Sequence, residues 1–113
     1  MSRHQFVLAA EEAAERLYRA QGGKIIAKRF RVREGEIDFI AQVADVLVFV
    51  EVKARKTLEA AAASINFRQL TRIQNAARVY LNRSGLGEDT LMRFDAVLLD
   101  HGGGAEIVEN ITV

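Results

Sequence analysis

The residues of this chain whose types and spacing could do chemistry are two acids and a lysine within positions 35–55. Glu51 and Lys53 are two positions apart in an otherwise apolar run, so on a β-strand they would project from the same face. Asp38 lies in a neighbouring apolar run, which a short turn would make antiparallel to the first. A stagger or bulge could then set Asp38 beside Glu51. Because charged groups are costly to bury without a partner, this stretch requires a chemical explanation.

Two carboxylates on adjacent strands would form an oxygen-rich site that suits Mg²⁺ or Mn²⁺, with the backbone carbonyl of Val52 as a further ligand. Such an ion polarises a phosphoryl oxygen and lowers the pKa of a bound water. Lys53 could orient that water or stabilise the negative charge that develops on the phosphate. The pattern therefore indicates metal-assisted phosphodiester hydrolysis by Asp38, Glu51 and Lys53. The competing explanation is a solvated strand end whose salt bridge contributes at most about 1 kcal/mol.

The composition is that of an ordinary globular protein. Of the 113 residues, 50% are hydrophobic and 27% are charged, and the absence of cysteine excludes disulfides, thiolate zinc sites and a cysteine nucleophile. No unbroken apolar run exceeds that of Val46–Val50, far short of the roughly 20 residues that span a bilayer, and Met1–Gln5 lacks the plan of a signal peptide. We therefore expect a single domain over 1–113 that is cytoplasmic and not associated with a membrane.

Hydrophobic periodicity predicts the elements that must position these residues. The predicted helices cover 2–21, with Ser2 and Gln5 as a capping box, and 66–83; segment 57–63 is a loop or a short helix. The predicted strands cover 24–33, 36–42, 46–55, 93–100 and 105–113. A three-strand meander flanked by helices implies a mixed α/β sandwich.

Regular alternation makes definite predictions within three of these strands. In the second strand, Asp38 and Ile40 would face one way and Ile37 and Phe39 the other. In the first strand, the three arginines at 29, 31 and 33 would share one face. In the last strand, alternation would continue to the C-terminus.

Three arginines form the clearest basic cluster, and further cations could extend it. The cluster consists of Arg29, Arg31 and Arg33, with Lys56, Arg68 and Arg72 as its extension. Contact with nucleic-acid phosphates is the favoured interpretation, because a nuclease site needs basic flanks to hold a polyanion. The alternative is a charged edge strand that resists aggregation. The net charge of +1 does not by itself indicate nucleic acid.

Acids outside the meander are given structural or mixed roles. In the first helix, Glu11 borders the buried stripe and is the one carboxylate aimed partly inward. Glu15 is assigned to the outer face, paired with Arg19. Asp95 is expected to form a structural pair with Arg93 or another neighbour.

The order Asp38, then Glu51-Val52-Lys53, resembles the core motif of the PD-(D/E)XK nuclease superfamily. More narrowly, the strings GEID at 35–38, VFVEVKAR at 48–55 and RFD at 93–95 look like the YraN-like family of small bacterial proteins, which is described as endonuclease-like. The resemblance runs from Glu11 to about Val97. It implies a restriction-endonuclease-like sandwich with a mixed β-sheet flanked by helices.

The resemblance also implies roles for individual residues. Asp38 and Glu51 would bind metal, Lys53 would assist catalysis, and Glu11 would complete the acidic pocket. Gln69 occupies the place on the second helix where such nucleases set a Lys or Gln facing the site. For Glu11 a helix-surface charge remains the alternative. For Gln69 the alternative is a capping box with Asn66, whose spacing accounts for the glutamine without chemistry.

The expected function is therefore that of an endonuclease that hydrolyses DNA with Mg²⁺ or Mn²⁺. The alternative is a non-catalytic nucleic-acid-binding or assembly module that retains the nuclease fold, and a third is a protein-interaction role without nucleic acid. The expected partner is a nucleic acid, DNA in the first instance. The sequence leaves the oligomeric state open, a homodimer included.

Overall fold

The computed structural model describes residues 2–87 and 89–112, and their elements follow the order predicted from the sequence. The helices are α1 (Arg3–Ala20), α2 (Leu58–Ala63) and α3 (Phe67–Arg83). The strands are β1 (Lys24–Val32), β2 (Gly35–Val43), β3 (Val46–Ala54), β4 (Met92–Leu99) and β5 (Ala105–Val108). Over these ranges, each helix is too short or too polar to serve as a membrane span.

The strands form one mixed sheet in the order β1-β2-β3-β4-β5. The β1–β2, β2–β3 and β4–β5 pairs are antiparallel, whereas β3 and β4 are parallel. A parallel pair needs a long crossover connection, and α2 and α3 supply it. The predicted mixed α/β arrangement is therefore confirmed, and β3 is the central strand.

Helices cover both faces of the sheet. Helix α1 packs on one face, in a core cluster that includes Ala14, Tyr18, Phe39, Val48, Val50 and Val97. Helix α3 packs on the other, in a cluster that includes Ile37, Ile40, Phe49, Ile73, Ala77 and Leu81. Residues of β3 alternate between these two clusters, as expected of a strand that is buried on both sides. Helix α2 contributes Ala61 to a third, smaller cluster with Ala96 and Leu98.

The segment that the sequence left as a loop or a short helix is helical. Thr57 caps α2, because its Oγ1 accepts a hydrogen bond from the backbone N–H of Ala60 at 3.0 Å. At the start of α1, Ser2 and Gln5 form both bonds of the predicted capping box. These caps fix where each helix begins.

A buried polar network joins α1, β4 and the segment after β5. Asp95 is fully buried and accepts hydrogen bonds from the hydroxyl of Tyr18 (2.8 Å), Nε of Arg93 (3.1 Å) and the backbone N–H of Asn110 (3.2 Å). Burial, with the charge of Asp95 adding to it, raises the pKa of Tyr18 well above its usual value, so the phenol remains a donor. The predicted structural pairing of Asp95 with Arg93 is confirmed.

Two predictions at the periphery of the fold are wrong. Strand β5 ends at Val108, because the chain turns at Asn110, which has a φ of 57°, and the backbone N–H of Ile111 donates to Phe94 at 2.8 Å. The predicted alternation to the C-terminus therefore fails, and its last residue, at 113, lies outside the described part of the chain. Glu15 is buried rather than outward, because Lys28 of β1 contacts it at 3.0 Å in addition to Arg19 at 3.4 Å.

Gly35, the first residue of β2, is the point at which this strand touches α3. A Cβ at this position would overlap the backbone carbonyl of Arg72, so the strand and the helix approach each other more closely than any side chain allows. This contact fixes the start of β2, which carries one acid of the candidate site, against α3.

We predict that Gly35→Ala lowers the free energy of unfolding by about 2 kcal/mol, because α3 must move to admit the methyl group. Urea denaturation followed by circular dichroism measures the change. Gly102→Ala is the matched control: its Cβ would meet only Oδ1 of Asp100, at an ordinary 3.6 Å, so its stability should stay within about 0.5 kcal/mol of wild type. Equal stabilities of the two variants would contradict the close approach.

Candidate functional site

Strand β2 does not alternate regularly where it carries its acid. Ile37 packs with Ile40 in the α3 cluster, whereas Phe39 and Ala41 pack in the α1 cluster. In a regular strand Ile37 and Phe39 would face the same side, so β2 changes face at Asp38, which lies between them. The predicted grouping of Ile37 with Phe39, and of Asp38 with Ile40, is therefore wrong. The irregularity turns Asp38 to the side of α1.

Strand β1 changes face at the register opposite Asp38. Arg29 adopts a left-handed conformation with a φ of 49°, which costs a non-glycine residue about 1 kcal/mol. Its Nε donates to Oε1 of Glu11 at 3.1 Å, and Glu11 is buried. Phe30 and Val32 pack toward α3, so Arg29, which reaches α1 and neutralises a buried acid, lies on the side that alternation assigns to Arg31. This packing is consistent with the predicted shared face of the three arginines.

Strands β2 and β3 separate at the candidate site. Their pairing ends at Phe39 and Val50, and the next β3 donor, the backbone N–H of Val52, bonds instead to Oδ2 of Asp38 at 2.7 Å. The N–H and C=O of one strand residue point to the same neighbouring strand, so the carbonyl of Val52 also faces the gap. The carboxylate of Asp38 and the carbonyl of Val52 therefore flank the same opening.

Glu51 and Lys53 meet beside this gap, as their spacing predicted. Nζ of Lys53 lies 3.1 Å from Oε1 of Glu51, and the side chains are 6% and 15% exposed respectively. Burying such a pair removes both charges from water, so it is a weak source of stability for the fold. An ion pair of this kind in a core is a candidate for a chemical role.

The carboxylates of Asp38 and Glu51, on the two strands, both have raised pKa values. Burial raises the pKa of Asp38 to about 7, with the charge of Glu51 as the second cause, while the N–H of Val52 acts in the opposite direction. Burial also raises the pKa of Glu51, against the lowering effect of Lys53. The charge of Glu11 raises both values further. A cation placed between these acids would lower both values.

A cavity of about 490 Å³ opens onto the gap from the side of α1. Its acidic wall consists of Glu11, Asp38 and Glu51, and Val52 also lines it. The remaining wall comes from α1 and the end of β3 and consists of Arg3, Phe6, Val7, Ala10, Ala54 and Arg55. The structure therefore brings the three acids named by the sequence to one cavity.

The donor set fits Mg²⁺ or Mn²⁺ when the substrate contributes ligands. Within residues 2–87 and 89–112, no group of three or more His, Asp or Glu side chains is arranged to hold a metal, and Glu11 is engaged by Arg29. Asp38, Glu51 and the carbonyl of Val52 remain as oxygen donors. Mg²⁺ commonly binds one or two carboxylates and takes its other ligands from water and phosphate, so this set suffices.

Gln69 does not form the capping box that its spacing predicted. Oδ1 of Asn66 accepts from the backbone N–H of Gln69 at 2.9 Å, but Oε1 of Gln69 is buried without a hydrogen-bond partner in the described structure. The reciprocal bond that Gln5 makes in α1 is therefore missing. The structural explanation for this glutamine is wrong, and its side chain is left with an unused acceptor.

The other predicted phosphate contacts lie outside the cavity. Arg31 and Arg33 are exposed at the end of β1, Lys56 is exposed after β3, and Arg68 and Arg72 are exposed on α3. Arg31 comes within 4.0 Å of Glu36. Arg72 lies where α3 meets the start of β2, and none of these residues is among those that line the cavity.

Two arginines at the cavity were not among the site residues predicted from the sequence. Arg3 and Arg55 line it together with the acids. Arg55 follows Lys53 by two positions, so the charged end of β3 was a signal that could have found it. No signal in the sequence marks Arg3, because its place depends on how α1 docks on the sheet.

The sequence matches one family of proteins over most of its length. The model of "Uncharacterised protein family UPF0102" matches residues 10–99. A UPF0102 protein of Azorhizobium caulinodans is 44% identical over 106 residues, which are 94% of this chain and 81% of that protein. UPF0102 proteins of Cereibacter sphaeroides (42% over 107 residues; 95% and 92%) and Dinoroseobacter shibae (42% over 105 residues; 93% and 78%) are also similar.

We predict that Asp38→Asn stabilises the metal-free protein at about pH 8 by up to about 4 kcal/mol, since one pKa unit corresponds to about 1.4 kcal/mol. The pKa of Asp38 is raised from 3.8 to about 7, so between these pH values the folded state holds a proton that the unfolded state has released. Wild-type stability therefore falls as the pH rises from about 4 to about 7. Asparagine carries no charge and can still accept from the N–H of Val52, so its advantage should vanish below about pH 4.

Urea denaturation in EDTA across this pH range measures the effect. Asp45→Asn, in the exposed β2–β3 turn, is the control and should change stability by less than about 0.5 kcal/mol at each pH. A variant Asp38→Asn that is less stable than wild type at pH 8 would show that the carboxylate is not strained.

Proposed function

The chain belongs to the uncharacterised protein family UPF0102, and from this premise we propose that it is a metal-dependent endonuclease that hydrolyses phosphodiester bonds in DNA. The proposal includes a restriction-endonuclease-like fold of the PD-(D/E)XK superfamily and a place in its YraN-like branch. The observation that carries it is the pair of buried carboxylates, Asp38 and Glu51, at a gap between two strands, with Lys53 bonded to one of them.

A purely structural role explains these charges poorly. Strands that pair to their ends would place a backbone acceptor opposite the N–H of Val52, whereas here a carboxylate takes that place and the strands part. The result is two acids with raised pKa values at the wall of a cavity. Clefts that hold acids strained in this way are candidates for functional sites.

In the proposed mechanism, Asp38, Glu51 and the carbonyl of Val52 hold Mg²⁺ or Mn²⁺. When bound, the ion supplies Lewis-acid polarisation of the phosphoryl oxygen and lowers the pKa of a water. The N–H of Val52 orients the carboxylate of Asp38 through the 2.7 Å bond. Lys53 orients Glu51 through their 3.1 Å contact, and its ammonium can donate to the phosphate as negative charge develops on it.

Glu11 has an electrostatic role in this proposal. Its carboxylate is bonded to Arg29 and therefore oriented, and its charge raises the pKa values of Asp38 and Glu51. It thus strengthens the negative field that attracts a cation, without acting as a ligand. Glu11 would thus complete the acidic pocket, as the resemblance implies, through its charge.

The exposed cations would hold the substrate backbone. Arg3 and Arg55 line the cavity itself, and the outer set consists of Arg31, Arg33, Lys56, Arg68 and Arg72. Phosphate contacts of this kind position a nucleic acid without reading its sequence. The proposed substrate is therefore DNA engaged through its backbone, and cleavage without strong sequence preference is expected.

A second candidate function is a nucleic-acid-binding or assembly module that has lost turnover. One observation favours it: the third acid, Glu11, is engaged by Arg29, and no three-carboxylate ligand set exists among the described residues. In that case the cavity and cations would serve binding alone. Metal-dependent cleavage distinguishes the two functions.

We predict that wild-type protein cleaves DNA in Mn²⁺ or Mg²⁺ and that Asp38→Asn, Glu51→Gln and Lys53→Ala each lower the rate at least about 100-fold, because each removes a group that holds the ion or stabilises the transition state. The assay follows labelled branched, single-stranded and duplex DNA on denaturing gels. Glu12→Gln, on the exposed face of α1, is the control and should cleave like wild type.

Binding and metal measurements complete this test. All four variants should bind DNA in EDTA, and Mn²⁺ should raise the melting temperature of wild type but not of Asp38→Asn. Binding without cleavage under every metal condition, with no effect of Mn²⁺ on melting, would refute hydrolysis and leave the non-catalytic module.

We also predict that Gln69→Leu raises the free energy of unfolding by about 1 kcal/mol, since it removes a buried acceptor that lacks a partner, while lowering cleavage. Gln74→Leu, on the same helix and also half-buried, is the control for both measurements. Unchanged cleavage by Gln69→Leu would remove this residue from the proposed site.

A further inference from the structure

We propose that Phe67, with Arg68 and Arg72 on the same helix, is a stacking site for an unpaired base of a single-stranded nucleic acid. The inference rests on the proposed function and deepens it, because it names the form of nucleic acid that the site takes. It draws on three observations: the exposure of the ring, the cations that follow it on the helix, and its position relative to the acids.

Phe67 is the most exposed large hydrophobic residue in the described part of the chain. Its side chain is 84% exposed, whereas that of Leu91, the next, is 57% exposed. A ring exposed to this degree contributes almost nothing to the core and holds its apolar surface in water. A single exposed apolar residue is common on a protein surface, so exposure makes the ring available for a contact and the charges near it must identify the partner.

The backbone that carries the ring is held by hydrogen bonds in the first turn of α3. Phe67 is the first residue of α3, directly after the N-cap Asn66, whose side chain is bonded to the next turn. The carbonyl of Phe67 accepts a hydrogen bond from Oγ1 of Thr71 at 3.1 Å. A ring with two rotatable bonds on a fixed helical turn is a platform that loses little entropy when a base stacks on it.

Exposed cations follow Phe67 on the same helix. Arg68 and Arg72 are one helical turn apart on the exposed side of α3, and among the described residues neither is paired with a carboxylate. An aromatic next to unpaired cations is the combination with which proteins hold single strands, since the ring stacks on a base while the cations contact phosphates. The charges thus favour a polyanion over an apolar partner.

The platform lies at the same end of the sheet as the acids. Gly35 packs directly against the backbone of Arg72, and Asp38 follows Gly35 by three residues on β2. Phe67 precedes Arg72 by five residues, which is about 7.5 Å of helix axis. A single strand that passes around this end of the sheet could therefore stack on Phe67, on the α3 side, and reach the acids, which open to the α1 side.

The ligand must present an unpaired base. In a duplex the faces of the bases are covered by their neighbours, so an exposed ring on a helix cannot reach them without unstacking a pair, which costs a few kcal/mol. Single strands, flaps and unpaired junction arms offer a free face. Contact between Phe67 and a second copy of this chain is the competing occupant.

The test uses the absence of tryptophan from the sequence. Phe67→Trp introduces a single tryptophan, and titration with an oligothymidylate in EDTA, where cleavage cannot occur, should quench its fluorescence. Leu91→Trp is the matched probe. The carbonyl of Leu91 bonds to Leu47 at the start of β3, the end opposite the acids, so its fluorescence should not change.

Affinities then separate stacking from charge. Phe67→Ala should weaken binding of the oligothymidylate about tenfold and leave its salt dependence unchanged. Arg68→Ala should instead reduce the slope of log affinity against log salt by about 0.7. Binding of a blunt duplex should be unaffected by Phe67→Ala.

Binding without quenching of Phe67→Trp, or equal loss of single-strand and duplex affinity in Phe67→Ala, would overturn the proposal. A change of Phe67→Trp fluorescence with protein concentration alone, matched by a dimer in sedimentation that Phe67→Ala abolishes, would assign the ring to a contact between copies. If oligothymidylate quenches Phe67→Trp but wild-type protein never cleaves DNA, the stacking site is supported and the proposed hydrolysis is refuted. If wild-type protein cleaves DNA but Phe67→Trp is not quenched, hydrolysis is supported and the stacking site is refuted.

Discussion

One hydrogen bond determines the architecture of the candidate site: the carboxylate of Asp38 accepts from the N–H of Val52. Where β2 would continue its ladder with β3, a side chain takes the acceptor position, and the two strands part. The gap exposes the carbonyl of Val52 and gives the end of β3 room for its charged residues. The face changes at Asp38 and at Arg29, opposite it, accompany this separation.

Two buried carboxylates in this protein illustrate the difference between an acid used for structure and one available for chemistry. Asp95 accepts bonds from a phenol, a guanidinium and a backbone N–H that come from three separate segments. Asp38 accepts one, from Val52, and has Glu51 as its neighbour. The oxygens of Asp95 are therefore occupied by partners on three sides. Asp38 instead has unused oxygen lone pairs and is repelled by the charge of Glu51, and a bound cation would use the lone pairs and reduce the repulsion.

The sequence predicted those features that depend on local spacing. The period of two placed Glu51 beside Lys53, the short turns gave the antiparallel meander, and the helical period found α1 and α3. Two failures have the same physical cause, a tertiary contact that overrides a local pattern. Asp38 leaves the face of Ile40, and its carboxylate bonds to Val52 of the next strand, while Glu15 is buried because Lys28 contacts it. Gln69 is different, because its acceptor has no partner in the described structure.

The connectivity of the sheet divides the protein into two parts with different loop-closure entropies. The acids on β2 and β3 and the lysine beside them lie on a meander joined by a tight turn, so bringing them together orders little chain. The clamp between Tyr18 and Asp95 joins residues that are 77 positions apart and depends on the parallel β3–β4 pair. Formation of contacts at such separation limits the rate at which a chain folds. The strands that carry the acids can therefore pair early in folding, whereas the hydrogen bond between Tyr18 and Asp95 completes the native structure.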